Sequence, residues 1–302
     1  MVDKVEKIWM DGELVAWEDA NVHILTHTLH YGLGAFEGIR CYETDDGRSA
    51  IFRLEEHVRR LFDSAHIATM DVAFTQEQIV EACIETVRVN GLKSCYLRPL
   101  IFLGDGAMGL GAMNDARVAI VVWKWGAYLG DEGLEKGIKA CISSFTRPGV
   151  NMLMAKGKIV GHYVNSILAR YEANDNGFDE AVMLDQQGYV AEGTGENLFV
   201  MRDGVVKTPP VVNILAGITR RTAIEILEKH GREVLEMPFG RDALYVADEI
   251  FMTGTAAEIT PVREVDRRAV GEPGPITREV QRTYLDGVRG KVDWMKDFIT
   301  TY

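Results

Sequence analysis

The sequence predicts an α/β (α+β) chain in two domains, and three observations predict it. Segments of strand character alternate with segments of helical period from the start of the chain. A glycine-rich stretch, Trp125-Gly126-Ala127-Tyr128-Leu129-Gly130-Asp131, interrupts that alternation. The 302 residues, 47% of them hydrophobic, are enough for two cores of ordinary size. We therefore expect a smaller N-terminal domain at 1–125, a connecting loop at 126–133 and a larger domain at 134–302.

In the first block, Lys7 to Met10, Asp11-Gly12 and Glu13 to Val15 read as strand, tight turn and strand. Ile51 to Arg53 reads as a strand. Leu54 to Thr69 carries Val58, Leu61, Phe62, Ala65 and Ala68 at helical spacing. Gln76 to Asn90 repeats that pattern and stops at Gly91, a helix-ending residue. Tyr96 to Leu103 and Val118 to Trp123 are apolar strands. In the second block a strand at Ile138 to Ser144 precedes a helix from about Tyr163 to Asn174. Ala181 to Asp185 and Leu198 to Met201 are strands flanking a glycine-rich turn. A helix runs from Thr219 to His230 with Gly231 beyond its end.

A net charge of -12 argues against nucleic acid or an anionic membrane as the main partner. No apolar run approaches the roughly 20 residues of a membrane-spanning helix. The charged N-terminus lacks the apolar centre of a signal peptide. Cys41, Cys83, Cys95 and Cys141 are scattered, as reduced structural thiols would be, and a cytoplasmic protein is expected.

Two motifs are decoys. Gly104-Asp105-Gly106-Ala107-Met108-Gly109 matches a dinucleotide fingerprint, but Leu110 to Arg117 is too short and too rich in Gly and Asn for the helix it must open. His23, His27 and His30 lack the acidic partners and fourth ligand of a zinc site, so no metal is expected.

Four other features belong together. Lys158 sits among apolar and small residues at the start of the predicted helix, where an amine loses proton affinity and gains nucleophilicity. Gly217-Ile218-Thr219-Arg220 opens a helix whose free N–H groups and dipole suit an anion. Arg60, on the Leu54 helix, can add a charge-assisted bond to the same anion. Glu192 lies in a turn with Gly193 and Gly195, which let a ligand approach closely. Gly254-Thr255-Ala256-Ala257 follows an apolar strand and can aim successive N–H groups at a carboxylate. These are the four demands of pyridoxal 5′-phosphate on a protein: a lysine, a phosphate site, an acid for the ring nitrogen and substrate-carboxylate donors. Taken singly, a surface lysine, a capped helix, an exposed arginine and core aromatics are the plainer accounts of these residues.

The chain resembles the class IV aminotransferases of pyridoxal-phosphate fold type IV, and within them the branched-chain amino acid aminotransferases. The resemblance rests on Tyr31-Gly32-x-Gly34-x-Phe36-Glu37-Gly38-Ile39-Arg40, Tyr96-Leu97-Arg98-Pro99, Glu192-Gly193-x-Gly195-Glu196-Asn197-Leu198-Phe199, Gly217-Ile218-Thr219-Arg220 and Thr253-Gly254-Thr255-Ala256-Ala257-Glu258-Ile259. The pattern Lys-x-x-Gly-x-Tyr-x-x-Ser fits Lys158, Gly161, Tyr163 and Ser166, and so favours Lys158 over Lys156. Lys156 is a departure, since that position is usually small.

The resemblance implies a larger C-terminal pseudo-barrel domain and these roles. Arg60, Gly217, Ile218 and Thr219 hold the phosphate, with Gly254 and Thr255 contributing. Glu192 pairs the ring nitrogen, with Gly195 in its turn, and Tyr163 bonds the phenolic oxygen. Tyr96, Thr255 and Ala256 receive the substrate α-carboxylate. Phe36, Gly38, Tyr128 and Tyr163 wall the side-chain pocket, and Arg40 and Arg98 take the distal carboxylate of glutamate. Tyr31 and Leu110 enter from a neighbouring subunit, so a homodimer or homohexamer is expected. The implied reaction exchanges an amino group between leucine, isoleucine or valine and 2-oxoglutarate. Its rivals on the same fold are a D-amino acid or (R)-amine transaminase and an aminodeoxychorismate lyase. Outside enzymology the rival is a cofactor-free binding protein.

Overall fold

The computed structural model describes residues 2–126 and 128–302. Its contacts divide the chain into two compact units: Met1–Trp125 with Gly157–His162 and Gly287–Tyr302, and Gly126–Lys156 with Tyr163–Asp286.

The first unit holds an eight-stranded sheet. β1 (Lys7–Met10) and β2 (Glu13–Ala16) form the predicted hairpin. Asp11 and Gly12 at its tip both have positive φ, 50° and 102°, the backbone a two-residue turn needs to match strand twist. A five-residue helix, α1 (His27–Tyr31), precedes β3 (Gly34–Phe36), β4 (Ile39–Glu43) and β5 (Ser49–Phe52). β6 (Cys95–Leu103) and β7 (Ala116–Trp123) form the long central hairpin. The sheet order is C-terminal strand Ile299–Thr301, β5, β4, β6, β7, β1, β2, with β3 also on β6.

Between β5 and β6 lie α2 (Leu54–Ile67) and α3 (Gln76–Val89), which contact each other. α3 starts in a reciprocal cap: Gln78 N–H donates to Thr75 Oγ1 and Thr75 N–H to Gln78 Oε1. α2 buries Leu54, Val58, Leu61 and Ala65, as the helical spacing predicts, but His57 and Ser64 are buried on it too. Polar groups stay buried only when bonded, so those two mark a face of α2 that does more than pack.

The second unit begins with α4 (Asp131–Lys136), so a helix starts inside the stretch expected to be a loop. β8 (Ile138–Ile142), α5 (Tyr163–Asp175), β9 (Glu180–Leu184), β10 (Val190–Gly193), β11 (Asn197–Arg202) and β12 (Val205–Thr208) follow. Then come α6 (Ile218–Lys229), β13 (Val234–Glu236), α7 (Asp242–Tyr245), β14 (Glu249–Gly254), β15 (Glu258–Val265), β16 (Arg268–Ala269) and α8 (Pro275–Gly287). The sheet order is β10-β9-β8-β15-β14-β11-β12-β13, with β16 on β15. β9, β10, β11 and β14 are buried along nearly their whole length, while β13 and β16 at its margins are not.

Two segments of the block expected at 134–302 belong instead to the first unit. Ile159 bridges Ala35, and Gly161 N–H donates to Gly32 O at 2.9 Å. Ile299 pairs with Phe52, and Arg53 N–H donates to Phe298 O. Backbone hydrogen bonds between distant segments decide both placements, and local sequence carries no trace of them. Gly104 to Gly109 lies in the loop joining antiparallel β6 and β7 and opens no helix. Among the described residues no helix is long and apolar enough to cross a membrane.

Candidate active site

Lys158 is not on a helix. It lies in an irregular stretch two residues before the short turn Val160–His162 that leads into α5. Its backbone is fixed on both sides: its N–H donates to Ser64 Oγ at 2.9 Å, and its carbonyl accepts from Phe36 N–H at 3.1 Å. Its ammonium stands 4.9 Å from the centroid of the Phe36 ring. Lys156 is exposed, whereas Lys158 is half-buried.

The same Phe36 ring carries a second cation, the Arg98 guanidinium, 4.8 Å from its centroid. Arg98 also lies against Tyr96 at 5.5 Å and Trp123 at 5.8 Å. Its Nε is buried with no hydrogen-bond partner among the described residues. Tyr96, Trp123 and Trp125 pack tilted or edge-on against one another with centroids 4.4 to 5.6 Å apart. Gly38 is required here, because a Cβ would overlap the Tyr96 hydroxyl. Arg40, paired in register with Tyr96, donates to Trp125 O at 3.1 Å. Arg60 is committed to Glu37 through Nε at 2.6 Å and Nη2 at 2.9 Å. Lys158, Phe36, Gly38, Arg40, Arg60, Tyr96 and Arg98 are thus gathered in the first unit.

Tyr31 and Leu110 remain open to solvent, 42% and 91% exposed. His27 ties their segments together, with its ring 4.5 Å from Tyr31 and Nε2 3.0 Å from Gly109 O. His30 Nε2 lies 2.8 Å from Ile24 O, and His23 Nδ1 accepts from Leu25 N–H, so all three histidines serve local structure.

In the second unit Glu192 is 6% exposed on β10. Arg147 reaches its Oε1 at 2.8 Å, while Asn197 Nδ2 and Leu215 N–H donate to Oε2, each at 3.2 Å. Three contacts hold one carboxylate oriented and compensate its burial. Gly217 precedes α6 and supplies no side-chain cap, and a Cβ there would overlap Asn197 Oδ1. Ile218 and Thr219, in the first turn of α6, are buried. Asn197 pairs in register with Thr253, so the turn at Gly254, Thr255 and Ala256 begins beside the same strand. Gly195 N–H donates to Glu196 Oε2 at 3.1 Å. Glu192, Gly195, Gly217, Ile218, Thr219, Gly254, Thr255 and Ala256 are therefore neighbours at one end of the second sheet. Tyr163 opens α5, and Tyr128 is 40% exposed with its ring 5.6 Å from the Arg170 guanidinium.

The donor set suits a phosphorylated pyridine. A helix of 12 residues begins without a side-chain cap. A buried, oriented carboxylate stands near it in the same unit. The comparisons with known proteins agree. The amino-transferase class IV family matches residues 34–265. The chain belongs to the class IV aminotransferases. It is 52% identical over 296 residues to the branched-chain-amino-acid aminotransferase of Pseudomonas aeruginosa, covering 97% of this chain and 96% of that one. To that of Escherichia coli strain K12 it is 46% identical over 295 residues, covering 96% and 95%. The crystal structure of the Escherichia coli enzyme superposes with a TM-score of 0.95 at 44% identity, covering 98% of this chain and 99% of that one. The branched-chain amino acid aminotransferase of Thermobaculum terrenum in its PLP-bound holo-form gives 0.93 at 36% identity, covering 99% and 98%. The two-domain fold and the aminotransferase activity expected from sequence are those of this class.

Sequence reasoning missed several residues of the site. Ser64, His57, Arg147, Trp123 and Trp125 belong to no motif that points to chemistry, and only folding brings them there. Glu37 and Asn197 stand inside quoted motifs, but nothing in the sequence says what they touch.

Proposed function

We propose that this protein transfers an amino group between branched-chain L-amino acids and 2-oxoglutarate, with pyridoxal 5′-phosphate as its bound cofactor. The observation that carries this reading is the Phe36 ring, with the Lys158 amine 4.9 Å and the Arg98 guanidinium 4.8 Å from one centroid. A reactive amine and a carboxylate receptor beside one apolar wall are what a site needs if it takes both leucine and glutamate. An arginine on aromatic faces is not left a bare charge when an aliphatic side chain is bound. The relatives, branched-chain-amino-acid aminotransferases by name, support the same amino-acid substrates, as does a solved branched-chain amino acid aminotransferase, 45% identical to this chain, complexed with N-(5′-phosphopyridoxyl)-L-glutamate.

When bound, the cofactor supplies the electron sink that stabilises charge at the substrate α-carbon. The chain's residues do the rest. Lys158 Nζ holds the cofactor and takes and returns the α-proton as general base and acid. Glu192 keeps the ring nitrogen protonated. The start of α6, through Gly217, Ile218 and Thr219, binds the phosphate with Arg60, supported by Gly254 and Thr255. Tyr163 bonds the phenolic oxygen, with Gly195 leaving room in the Glu192 turn. Tyr96, Thr255 and Ala256 orient the α-carboxylate. Phe36, Gly38, Tyr128 and Tyr163 wall the side chain, and Arg98 with Arg40 receives the γ-carboxylate. The working unit is at least a dimer. The exposed apolar side chains of Ile24, Leu29, Tyr31, Leu110 and Met113 support a second copy of this chain as their cover.

The test is the absorbance spectrum of the purified protein, before and after L-leucine and then 2-oxoglutarate. A yellow protein that bleaches with leucine and recovers with 2-oxoglutarate is expected. Indifference to L-leucine would transfer the specificity to a D-amino acid, an amine or a lyase substrate. A colourless protein that pyridoxal phosphate does not reconstitute would end the enzyme reading.

A further inference from the structure

Glu37 is 0% exposed and is nevertheless a carboxylate. It lies between Phe36 and Gly38, the two wall residues, in the link from β3 to β4. Four donors converge on it. Arg60 Nε reaches Oε1 at 2.6 Å, while Arg60 Nη2 at 2.9 Å, His57 Nδ1 at 2.7 Å and Gly38 N–H at 3.2 Å reach Oε2. Glu37 N–H is itself held by Pro99 O at 2.9 Å.

His57 and Arg60 are three residues apart on α2, so they share one face of that helix. Ser64, a further turn along, donates its Oγ–H to Arg60 O at 2.7 Å and accepts from Lys158 N–H at 2.9 Å. Lys158 O in turn accepts from Phe36 N–H at 3.1 Å. One face of α2 thus grips both the backbone of the lysine and the strip that walls it, and Glu37 is the acid at the centre of that grip. Burial opposes ionisation of Glu37, but Arg60 and His57 outweigh it and hold the carboxyl below its usual range. Burial dominates at His57, which is held below its usual range despite Glu37 and therefore donates from a neutral ring.

A buried ion pair is seldom more stabilising than apolar side chains of the same volume, so cohesion alone does not account for this cluster. Geometry does: the carboxylate fork, through Nε and Nη2, fixes the plane and edge of the Arg60 guanidinium. We propose that Glu37 is a positioning residue, supported by His57, that sets Arg60 for the cofactor phosphate and holds the Phe36–Gly38 wall against Lys158. This rests on the reading of Arg60 as a phosphate ligand.

The experiment compares full-length wild type, Glu37→Gln, His57→Leu and His57→Asn. Each is stripped of cofactor, titrated with pyridoxal 5′-phosphate by absorbance, and then assayed with L-leucine. Gln places an amide N–H2 where two donors need an acceptor, so the dissociation constant for the cofactor should rise about tenfold or more, with a fall in kcat at saturating cofactor. His57→Leu removes one donor and should weaken cofactor binding less. His57→Asn, whose amide N–H can stand in for Nδ1–H, should recover most of that loss. A purely structural role predicts lowered melting temperatures with wild-type cofactor affinity in the folded protein, and that result would overturn the proposal. If Glu37→Gln does not fold, equal affinities for the Leu and Asn variants at His57 would overturn it. Wild type that binds no pyridoxal phosphate would instead remove the function on which it rests.

Discussion

Lys158 is the residue on which the proposed chemistry turns, and its setting is built from main-chain bonds rather than from a helix. Because the hydrogen bonds with Ser64 and Phe36 are to its backbone, removing the side chain loses the contact with the Phe36 ring and leaves both bonds in place. Lys158→Ala should therefore fold, with an unchanged far-ultraviolet circular dichroism spectrum, and show no transamination in a coupled assay. Measurable turnover would refute the assignment. Thr219 offers one hydroxyl near a charged group, so Thr219→Ala should weaken cofactor binding by about 1–2 kcal/mol, roughly 5- to 30-fold, in an absorbance titration. Arg98 separates the two substrates. Arg98→Leu should raise KM for 2-oxoglutarate about tenfold or more by deleting a carboxylate receptor, while KM for leucine changes less than about threefold. Equal effects on both would place Arg98 outside the distal-carboxylate site.

At the scale of elements, the second unit brings three turns to one junction. Asn197 makes that junction: its Nδ2 bonds both Glu192 Oε2 and Leu215 O, its Oδ1 lies where a Gly217 Cβ would go, and its backbone pairs with Thr253. Gly217→Ala should therefore disturb Glu192 and the start of α6 together, weakening cofactor binding even at saturating substrate. A variant with wild-type cofactor affinity would show that the junction tolerates the methyl. The end of α3 before Gly91 and the Asp11-Gly12 turn were legible locally, since their chemistry needs residues close in sequence. β3 and β4 were not, because strands of three and five residues carry too little periodicity to stand out.

Across the whole molecule, two buried acids pull stability in opposite directions with pH. Glu37 is held below its ordinary range, so its contribution is present above the unfolded-chain value of about 4.3 and is lost as pH falls toward its folded value. Glu196 is pushed well above the ordinary range by burial and by the neighbouring Glu180 carboxylate, against the pull of Gly195 N–H and Arg170. Below about 4.3 that contribution is complete; above it the folded state binds the extra proton, so stability falls as pH rises through the folded value. Glu196→Gln keeps a neutral side chain and should flatten the fall in urea midpoint as pH rises above about 4.3; an unchanged slope would show that Glu196 is ionised in the fold. Assembly is the other whole-molecule property. Leu110 is 91% exposed, so Leu110→Glu should leave the fold intact, shift sedimentation toward monomer and reduce activity. An assembly indifferent to that charge would exclude Leu110 from the interface.

The sequence by itself determined helices α2, α3, α5 and α6, the long strands β6 and β7 and the family, and it singled out the lysine motif and the turn proposed for the phosphate. These depend on periodicity and on residue types at fixed short spacings. Only the tertiary structure decided that 157–162 and 287–302 return to the first unit, that Phe36 lies against both Lys158 and Arg98, and that Glu37, His57 and Ser64 support Arg60 and the lysine. Hydrogen bonds and ring contacts between residues far apart in sequence make those choices. The free energy of such a contact depends on where the whole chain puts its partner, and no local pattern records that.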